Sequence, residues 1–255
     1  MELEELRKLK GVRRVTMLTA YDYQMAKIQD AAGIDMILVG DSLGMVVLGY
    51  EGTKEVTMHD MMRHTAAVAR GTENAFIVGD MPINTYDTPE DALANARRFI
   101  EAGAHAVKIE GNKPEIVRAL ISEGIPAMGH LGLLPQTAEQ FKVQGKRRED
   151  AERILAEAVE LDAAGAFAIV LECIPLSLAK KITEAVNALT VGIGAGVHCD
   201  GQVLVVNDML GMDPGISPKH SKPYVKLYEV ITGAVRRYIE EVLDGKFPDD
   251  EHSFH

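Results

Sequence analysis

The stretch AGIDMILVGD, Ala32–Asp41, follows a plan that returns twice along the chain, as AGAHAVKIEG at Ala102–Gly111 and AGAFAIVLEC at Ala164–Cys173. Each copy begins with the end of a helical pattern and a glycine turn. A short apolar run follows, and an acidic residue stands at or just beyond its end. A turn, a strand and a polar strand end in this order form a recurring supersecondary unit. The repetition predicts a chain assembled from strand–helix units.

In the rest of the chain the same alternation continues: short runs rich in Val and Ile alternate with longer amphipathic stretches over almost the whole length. The runs are continuously apolar, which is typical of parallel strands that are covered on both faces. Eight strand–helix units with right-handed crossovers close into a (β/α)8 TIM barrel, an α/β fold. The predicted strands are Val15–Thr19, Met36–Gly40, Phe76–Asp80, Ala106–Glu110, Pro126–His130, Ala168–Glu172, Thr190–Gly194 and Val203–Asn207.

Helix boundaries are marked by capping residues. Gly33 and Gly71 follow two helical patterns and are predicted C-caps, while Thr88–Pro89 gives a predicted N-cap with proline at the first helical position. The predicted helices are Tyr23–Ala32, Met58–Arg70, a helix from Thr88 to Gly103, Pro114–Glu123, Arg148–Ala164, Ser177–Leu189 and Tyr224–Leu243.

The chain has 255 residues, and single α/β barrels commonly run to about 250 residues. No stretch rich in Ser, Gly and Pro separates two parts. We therefore predict one catalytic domain over residues 1–255, with a short charged N-terminal segment and a C-terminal helix and tail. The longest connection, Leu131–Arg147, has the length and polarity of an active-site lid.

The composition excludes several classes of function. A formal net charge of −11 argues against nucleic acid and against anionic membrane surfaces, since both require basic clusters. Cys173 and Cys199 are the two cysteines and lack a C-x-x-C spacing, so we expect buried, inert thiols in a reducing compartment. The segment Met1–Lys10 lacks the apolar run of a signal peptide, and no run could span a bilayer. A cytoplasmic protein is expected.

Four acidic residues follow or end predicted strands: Asp41, Asp80, Glu110 and Glu172. In a parallel barrel, strand ends meet at one mouth, and this mouth carries the active site. Unpaired carboxylates there would repel one another and raise each other's pKa, whereas a divalent cation relieves the repulsion, and oxygen ligands suit Mg²⁺.

The competing interpretation is that each acid only caps the next helix. The residues after Asp41 show no helical pattern, and the Met81–Pro82 pair keeps Asp80 extended. Glutamate, as at Glu110 and Glu172, is not a preferred N-cap residue. A shared site explains all four acids together. Lys108 lies on the same strand face as Glu110.

Longer stretches resemble the ketopantoate hydroxymethyltransferase family, from about Val15 to about Tyr224. They are DMILVGDSLGMVVLGY, VGDMP, AGAHAVKIEG, GHLGLLPQT and CDGQVLVVNDMLGM. The resemblance implies that Asp41, Asp80 and Glu110 bind the metal and that Asp41, Ser42, Asp80 and Lys108 hold a keto acid. It implies Glu172 as the proton acceptor.

The resemblance further implies hydroxymethyl transfer to 3-methyl-2-oxobutanoate, which gives ketopantoate for pantothenate and coenzyme A. One Mg²⁺ per subunit and 5,10-methylenetetrahydrofolate or a related pterin are the implied cofactor and co-substrate, in a homo-oligomer. This chain departs from the family at Met81–Tyr86, where it reads MPINTY instead of the common MPFGSY, and at Asn207, where an aromatic residue or histidine is common.

Several alternatives remain at this stage. A lyase of the isocitrate lyase and phosphoenolpyruvate mutase group would use similar chemistry, but its K-C-G-H-like segment is absent. A non-catalytic metabolite-binding barrel is the third interpretation. Lys108 could form a Schiff base, although acidic neighbours favour its charged form. His130 could contact the substrate or be structural, and the glycines of Gly192–Gly196 favour close backbone approach.

Overall fold

The fold is a closed barrel of eight parallel strands in the order β1 to β8, with β8 paired to β1. The computed structural model describes residues 1–138, 140, 142–215 and 218–255. The predicted (β/α)8 barrel is confirmed. The strands are β1 Val15–Thr19, β2 Met36–Val39, β3 Phe76–Asp80, β4 Ala106–Lys108, β5 Ala127–Gly132, β6 Ala168–Glu172, β7 Leu189–Ile193 and β8 Gly201–Leu204.

Helices follow most of the strands. In the described ranges they are α1 Leu3–Arg7, α2 Tyr23–Ala31, α3 Leu43–Val46, α4 Met58–Gly71, α5 Pro89–Glu101, α6 Pro114–Ser122, α7 Arg148–Ala163, α8 Leu176–Ala185, α9 Val206–Met209 and α10 Leu227–Leu243, with a 3-10 turn at Asp250–His252. None of the helices that the structure describes has the length and apolarity needed to cross a bilayer.

The barrel interior is filled by apolar side chains from the strands, among them Met17, Met36 and Val78. Helix α1 closes one end, because its fully buried Leu6 joins this core beside residues that begin strands, such as Met36 and Phe76. Active sites of such barrels lie at the opposite end. Because α1 covers the amino-terminal end of the barrel, the carboxyl ends of the strands are available for the active site.

Two aspartates tie the amino-terminal ends of neighbouring strands together in the same way. Asp35 Oδ2 accepts hydrogen bonds from Thr16 N and Oγ1, at 2.8 and 2.9 Å, and Thr16 Oγ1 accepts one from Asp35 N. Asp200 and Thr190 make the same three contacts between β7 and β8. A basic side chain neutralises each aspartate. The basic partners are Arg13 for Asp35 and Lys10 for Asp200.

The capping predictions have mixed outcomes. Thr88 accepts a hydrogen bond from Asp91 N with Pro89 at the first turn, and Gly33 has a φ of 82°, as expected. The prediction that Gly71 is a C-cap is wrong, because Gly71 is the last helical residue of α4 and Thr72 is the C-cap. A Cβ there would lie 2.4 Å from the carbonyl oxygen of Tyr23. The absence of a side chain allows α2 and α4 to pack closely.

Several predictions of helices and boundaries are wrong. Strands β2 and β4 end earlier than predicted, at Val39 and Lys108, and α10 begins at Leu227 instead of Tyr224. A short helix, α3, follows Asp41, although the sequence there shows no helical period. The β7–β8 connection of the barrel lacks a helix, so it is not a full strand–helix unit. Helix α8 ends at Ala185, because Val186 is extended. Strand β8 ends at Leu204, and Asn207 belongs to α9.

Two compact units are distinguished, Met1–Val205 and Val206–His255. The first contains the complete barrel with α1 to α8. The second contains α9 and α10, and Tyr224 N and Leu227 N donate to the carbonyl oxygens of Met209 and Leu210 within it. The prediction of one domain over residues 1–255 stays a prediction.

Candidate active site

The predicted site residues converge at the carboxyl ends of β2 to β6. Asp80 ends β3, Lys108 ends β4 and Glu172 ends β6, while Asp41 follows β2 and Glu110 follows β4. Strand register places Asp80 beside Lys108. Because all strands run in parallel, these ends lie at one mouth of the barrel. Asp41, Asp80, Lys108, Glu110 and His130 are all buried.

Lys108 is paired with carboxylates. Its Nζ lies 2.7 Å from Asp80 Oδ1 and 3.8 Å from Glu110 Oε1. Burial by itself would lower the pKa of Lys108, but Asp80, Glu110 and Asp41 outweigh burial and raise it. The side chain is therefore an ammonium ion at neutral pH. A protonated amine is not a nucleophile, so this environment disfavours the Schiff-base interpretation.

Asp41 and Asp80 form a close acidic pair. The Asp41 backbone N–H donates to Asp80 Oδ2 at 3.4 Å. Burial and the neighbouring Asp80 carboxylate raise the pKa of Asp41 well above its usual value. Burial also raises the pKa of Asp80, and the Lys108 ammonium only partly offsets it. A cation bound between these groups would stabilise both charged forms.

His130 lies between two glutamates. Its Nδ1 is 3.3 Å from Glu110 Oε1 and its Nε2 is 3.2 Å from Glu172 Oε2. Neither contact has hydrogen-bond geometry, so both nitrogens and Glu110 Oε1 lack an aligned partner. Burial and Lys108 lower the pKa of His130, but Glu110 and Glu172 outweigh them and raise it to about 9. An imidazolium therefore joins the two carboxylates.

Glu110 differs from the two aspartates. Burial would raise its pKa, but His130, Lys108 and the backbone N–H of Gln136 together lower the pKa of Glu110 below its usual value. Its Oε2 accepts the Gln136 N–H at 3.1 Å. Glu110 is therefore ionised, and its second oxygen, Oε1, faces His130 and Lys108.

Two residues of this site, Gln136 and Tyr86, were not predicted from the sequence. Gln136 Nε2 donates to Asp41 Oδ2 and to the Met81 carbonyl oxygen, each at 2.9 Å. Tyr86 donates its hydroxyl hydrogen to Gln136 Oε1, and its oxygen accepts the N–H of Glu110 at 3.3 Å. The stretches GHLGLLPQT and MPINTY contain them, yet no periodicity marks an amide or a phenol as part of a site.

The long connection Leu131–Arg147 is held in place near both of its ends. Gln136 is 1% exposed, and Gln144 N donates to the carbonyl oxygen of Cys173 at 2.8 Å. Glu139 and Phe141, which belong to the predicted lid, lie outside the described residues. The lid function stays a prediction, but its start is part of the site.

The remaining predicted residues have modest roles in the geometry. Ser42 stands at the start of α3 without capping it, and its Oγ lies 2.9 Å from the Tyr21 hydroxyl oxygen. Cys199 is buried as expected, whereas Cys173 is half-buried and has a left-handed φ of 49°. Burial and Glu172 raise the pKa of Cys173 to about 11, so its thiol is protonated. The predicted close approach of the backbone within Gly192–Gly196 is confirmed at Gly196, where a Cβ would lie 2.5 Å from Leu176 Cβ.

The chemistry of the donor set fits a cation. Counted as ionised, four carboxylates face two positive side chains, Lys108 and His130, which leaves a deficit of two positive charges. Within the described residues, however, no three His, Cys, Asp or Glu side chains are arranged as a ready metal site. Mg²⁺ commonly binds one or two carboxylates and completes its shell with water and substrate oxygens. Asp41 and Asp80 would supply two such carboxylates.

Comparison with solved structures supports the fold. Phosphoenolpyruvate phosphomutase from Streptomyces platensis subsp. rosaceus aligns with a TM-score of 0.67 at 15% identity, over 96% of this chain and 88% of that chain. Phosphonopyruvate hydrolase in complex with oxalate and Mg²⁺ gives 0.66 at 13% identity, over 98% and 92%. At these identities the likeness shows the barrel fold alone.

Comparison with known sequences is more specific. The 3-methyl-2-oxobutanoate hydroxymethyltransferase of Syntrophus aciditrophicus is 55% identical over 254 residues, which is 97% of this chain and 93% of that protein. The Thermotoga maritima protein of the same name is 52% identical, over 100% and 96%. The family model described as ketopantoate hydroxymethyltransferase matches residues 1–250. By these matches the chain belongs to the ketopantoate hydroxymethyltransferase family.

Proposed function

We propose that this protein transfers a hydroxymethyl group from a one-carbon donor to 3-methyl-2-oxobutanoate, which yields ketopantoate for pantothenate and coenzyme A synthesis. The observation that carries the proposal is the meeting of four carboxylates, one ammonium and one imidazole at the carboxyl ends of five strands. Membership of the family supplies the substrate, and these residues supply the chemistry that the substrate requires.

Mg²⁺ is the proposed cofactor, with one ion per subunit. Asp41 and Asp80 would hold it, because each is a buried carboxylate whose pKa is raised by burial and by a nearby anion. Glu110 is the third proposed ligand, since its Oε1 has no aligned hydrogen-bond donor. When bound, the ion supplies Lewis-acid polarisation of a keto group, which makes the neighbouring C–H more acidic.

Lys108 is proposed to bind the carboxylate of the keto acid. Its ammonium ion is a compact donor with three hydrogens, and the Asp80 contact leaves further donors on Nζ. Ser42 and the backbone at Asp41 would hold the other end of the same small molecule. The substrate is thereby oriented with its C3 hydrogen toward Glu172.

Glu172 is proposed to remove the C3 proton. It is the most exposed of the four acids, with 14% of its side chain accessible to solvent, so a substrate can reach it. His130 at 3.2 Å balances its charge before the proton arrives. The resulting enolate carbon attacks the one-carbon unit and a carbon–carbon bond forms at C3, while the carbon–nitrogen bonds that join this unit to the pterin break. One water molecule supplies the hydroxyl oxygen, and the free pterin leaves with the protons. The proposed donor is 5,10-methylenetetrahydrofolate or a related pterin.

A product assay tests this function. The purified protein is incubated with 3-methyl-2-oxobutanoate, Mg²⁺ and either methylenetetrahydrofolate or formaldehyde, and ketopantoate is measured by mass spectrometry. We expect product with a donor present, no product after EDTA treatment, and recovery when Mg²⁺ is restored. No ketopantoate with either donor at saturating Mg²⁺ would refute the proposal.

A homo-oligomer is also proposed. Helix α10 contains no buried residue in the second unit, and its exposed apolar side chains include Val230, Ile231, Tyr238 and Ile239. Exposed apolar patches of this kind mark contact surfaces. Sedimentation velocity tests the assembly, and a monomer at micromolar concentration would contradict it. A cytoplasmic location stays a prediction from the sequence.

A further inference from the structure

Gln136 makes four hydrogen bonds inside the site, although it belongs to a connection and not to a strand or helix. Its side-chain nitrogen donates to Asp41 and Met81, its side-chain oxygen accepts from Tyr86, and its backbone N–H donates to Glu110. The residue is 1% exposed. All the hydrogen-bonding capacity of the side-chain nitrogen is therefore used.

The amide has only one workable orientation. If the nitrogen and oxygen of Gln136 were exchanged, the oxygen would face the Asp41 carboxylate and the Met81 carbonyl, which are both acceptors. In that orientation two pairs of buried acceptors would face each other without a donor, which destabilises it. The Tyr86 hydroxyl reinforces this orientation, since it donates to the amide oxygen while accepting the Glu110 N–H.

The consequence for Asp41 is that one carboxylate oxygen, Oδ2, is fixed by a donor that carries no charge. Lys108 also attracts Asp41, because its ammonium ion is among the charges that act on that carboxylate. Among the described residues, the ion pairs of Lys108 Nζ are with Asp80 at 2.7 Å and Glu110 at 3.8 Å, not with Asp41. The Gln136 amide is the direct contact that holds Asp41 Oδ2, so its loss would leave the carboxylate able to turn toward the ammonium that pairs with Asp80.

We propose that Gln136 is a positioning residue that holds the Asp41 carboxylate away from Lys108. Asp41 thereby remains available to bind the cation, and Lys108 remains available to bind the keto acid. The proposal rests on the function proposed above. The same amino acid acts on Glu110 through its backbone N–H, so one turn of the connection orients two acids of the site.

The test compares Gln136→Met with Gln144→Met. Methionine has nearly the shape of glutamine but no amide donor. Gln144 is the matched control, because it lies on the same connection and its Nε2 donates to the Lys142 carbonyl oxygen, outside the acidic site. Mg²⁺ binding is measured by calorimetry without substrate, and the KM for 3-methyl-2-oxobutanoate is measured as Mg²⁺ is raised.

For Gln136→Met we expect Mg²⁺ affinity to fall about tenfold and KM to rise at least as much, with kcat largely recovered at excess Mg²⁺. Gln144→Met should match the wild type in all three quantities. A merely structural role would change the unfolding temperature and the active fraction, and excess Mg²⁺ would not restore activity. Wild-type Mg²⁺ affinity and KM in a folded Gln136→Met protein would overturn the proposal.

Tyr86→Phe decides the question if Gln136→Met does not fold. This variant keeps both amide donors and removes the hydroxyl that orients the amide and accepts the Glu110 N–H, so a loss of Mg²⁺ affinity of about threefold is expected. An unchanged affinity in Tyr86→Phe would overturn the proposal in that case. Failure of the wild type to bind Mg²⁺ would instead refute the proposed cofactor, so the two failures are distinguishable.

Discussion

Replacement of Glu172 by Gln tests the proposed base directly. Glutamine has the shape of glutamate but cannot accept a proton at neutral pH, and its amide oxygen can still face His130 Nε2, which lies 3.2 Å from the carboxylate now. The variant therefore removes one chemical capacity and keeps the geometry. Exchange of the C3 hydrogen should nearly stop, while the keto acid should still bind.

The magnitude follows from the position of the side chain. A positioned general base contributes about 100- to 10,000-fold, which is roughly 3 to 5 kcal/mol of barrier at about 1.4 kcal/mol per factor of ten. Because 14% of the Glu172 side chain is exposed, water reaches the same place and sets the residual rate. We therefore expect at least a 100-fold loss of exchange, and a change in keto-acid affinity below about threefold.

The assay follows the C3 proton signal of 3-methyl-2-oxobutanoate by NMR in deuterated water, with Mg²⁺ and without a one-carbon donor. Glu184→Gln is the matched control, since this glutamate lies on α8 with 65% of its side chain exposed. Exchange at the wild-type rate in Glu172→Gln would remove this residue from the role of base. Equal losses of C3 exchange in both variants would show that the loss of a negative charge, and not of a base, slows the exchange.

Three further predictions concern the charged state of the site and the barrel frame. Borohydride with keto acid should trap no adduct on Lys108, and a mass increase on the peptide containing it would contradict the ammonium assignment. Asp35→Asn should lower the free energy of unfolding in urea by about 1–3 kcal/mol at pH 7. Its hydrogen-bond and ionic partners outweigh burial and lower the pKa of Asp35, so its stabilisation is complete above the unfolded pKa of about 3.9. The wild-type advantage should therefore shrink as the pH falls below about 4 toward the lower folded pKa, and a difference independent of pH would contradict the assignment. Gly71→Ala should destabilise by about 1–3 kcal/mol, because the new Cβ would meet the Tyr23 carbonyl oxygen. Gly233→Ala, with open space around the new Cβ in α10, should not destabilise, and equal losses would refute the steric cause.

The strands were predictable because a parallel barrel buries both faces of each strand. That requirement leaves continuous apolar runs such as Phe76–Asp80 and Ala168–Glu172, which match the observed strands. The acids at strand ends were predictable for the same reason, since parallel strands bring their carboxyl ends together. The convergence of these acids at one mouth of the barrel could therefore be predicted from the sequence.

Features that depend on contacts between distant residues were not predictable. Gln136 and Tyr86 are 50 positions apart, and neither has a periodicity that reports the contact. Gly71 resembled a helix cap because glycine is common after helices, whereas its actual requirement is the approach of another helix. Helix α3 has only four residues, too few for a hydrophobic period to appear.

The distribution of partners among the four acids supports the proposal that Glu172 is the base. Asp41 is held by the Gln136 amide, Asp80 by the Lys108 ammonium, and Glu110 by the Gln136 backbone N–H. Each of these three has one oxygen committed to an aligned donor, which fixes the orientation of the carboxylate. In the part of the chain that the structure describes, the Glu172 carboxylate faces His130 at 3.2 Å without hydrogen-bond geometry, and it is the most exposed of the four acids. A carboxylate with uncommitted oxygens, within reach of substrate and beside an imidazolium, can accept a proton without breaking any bond that holds the site together.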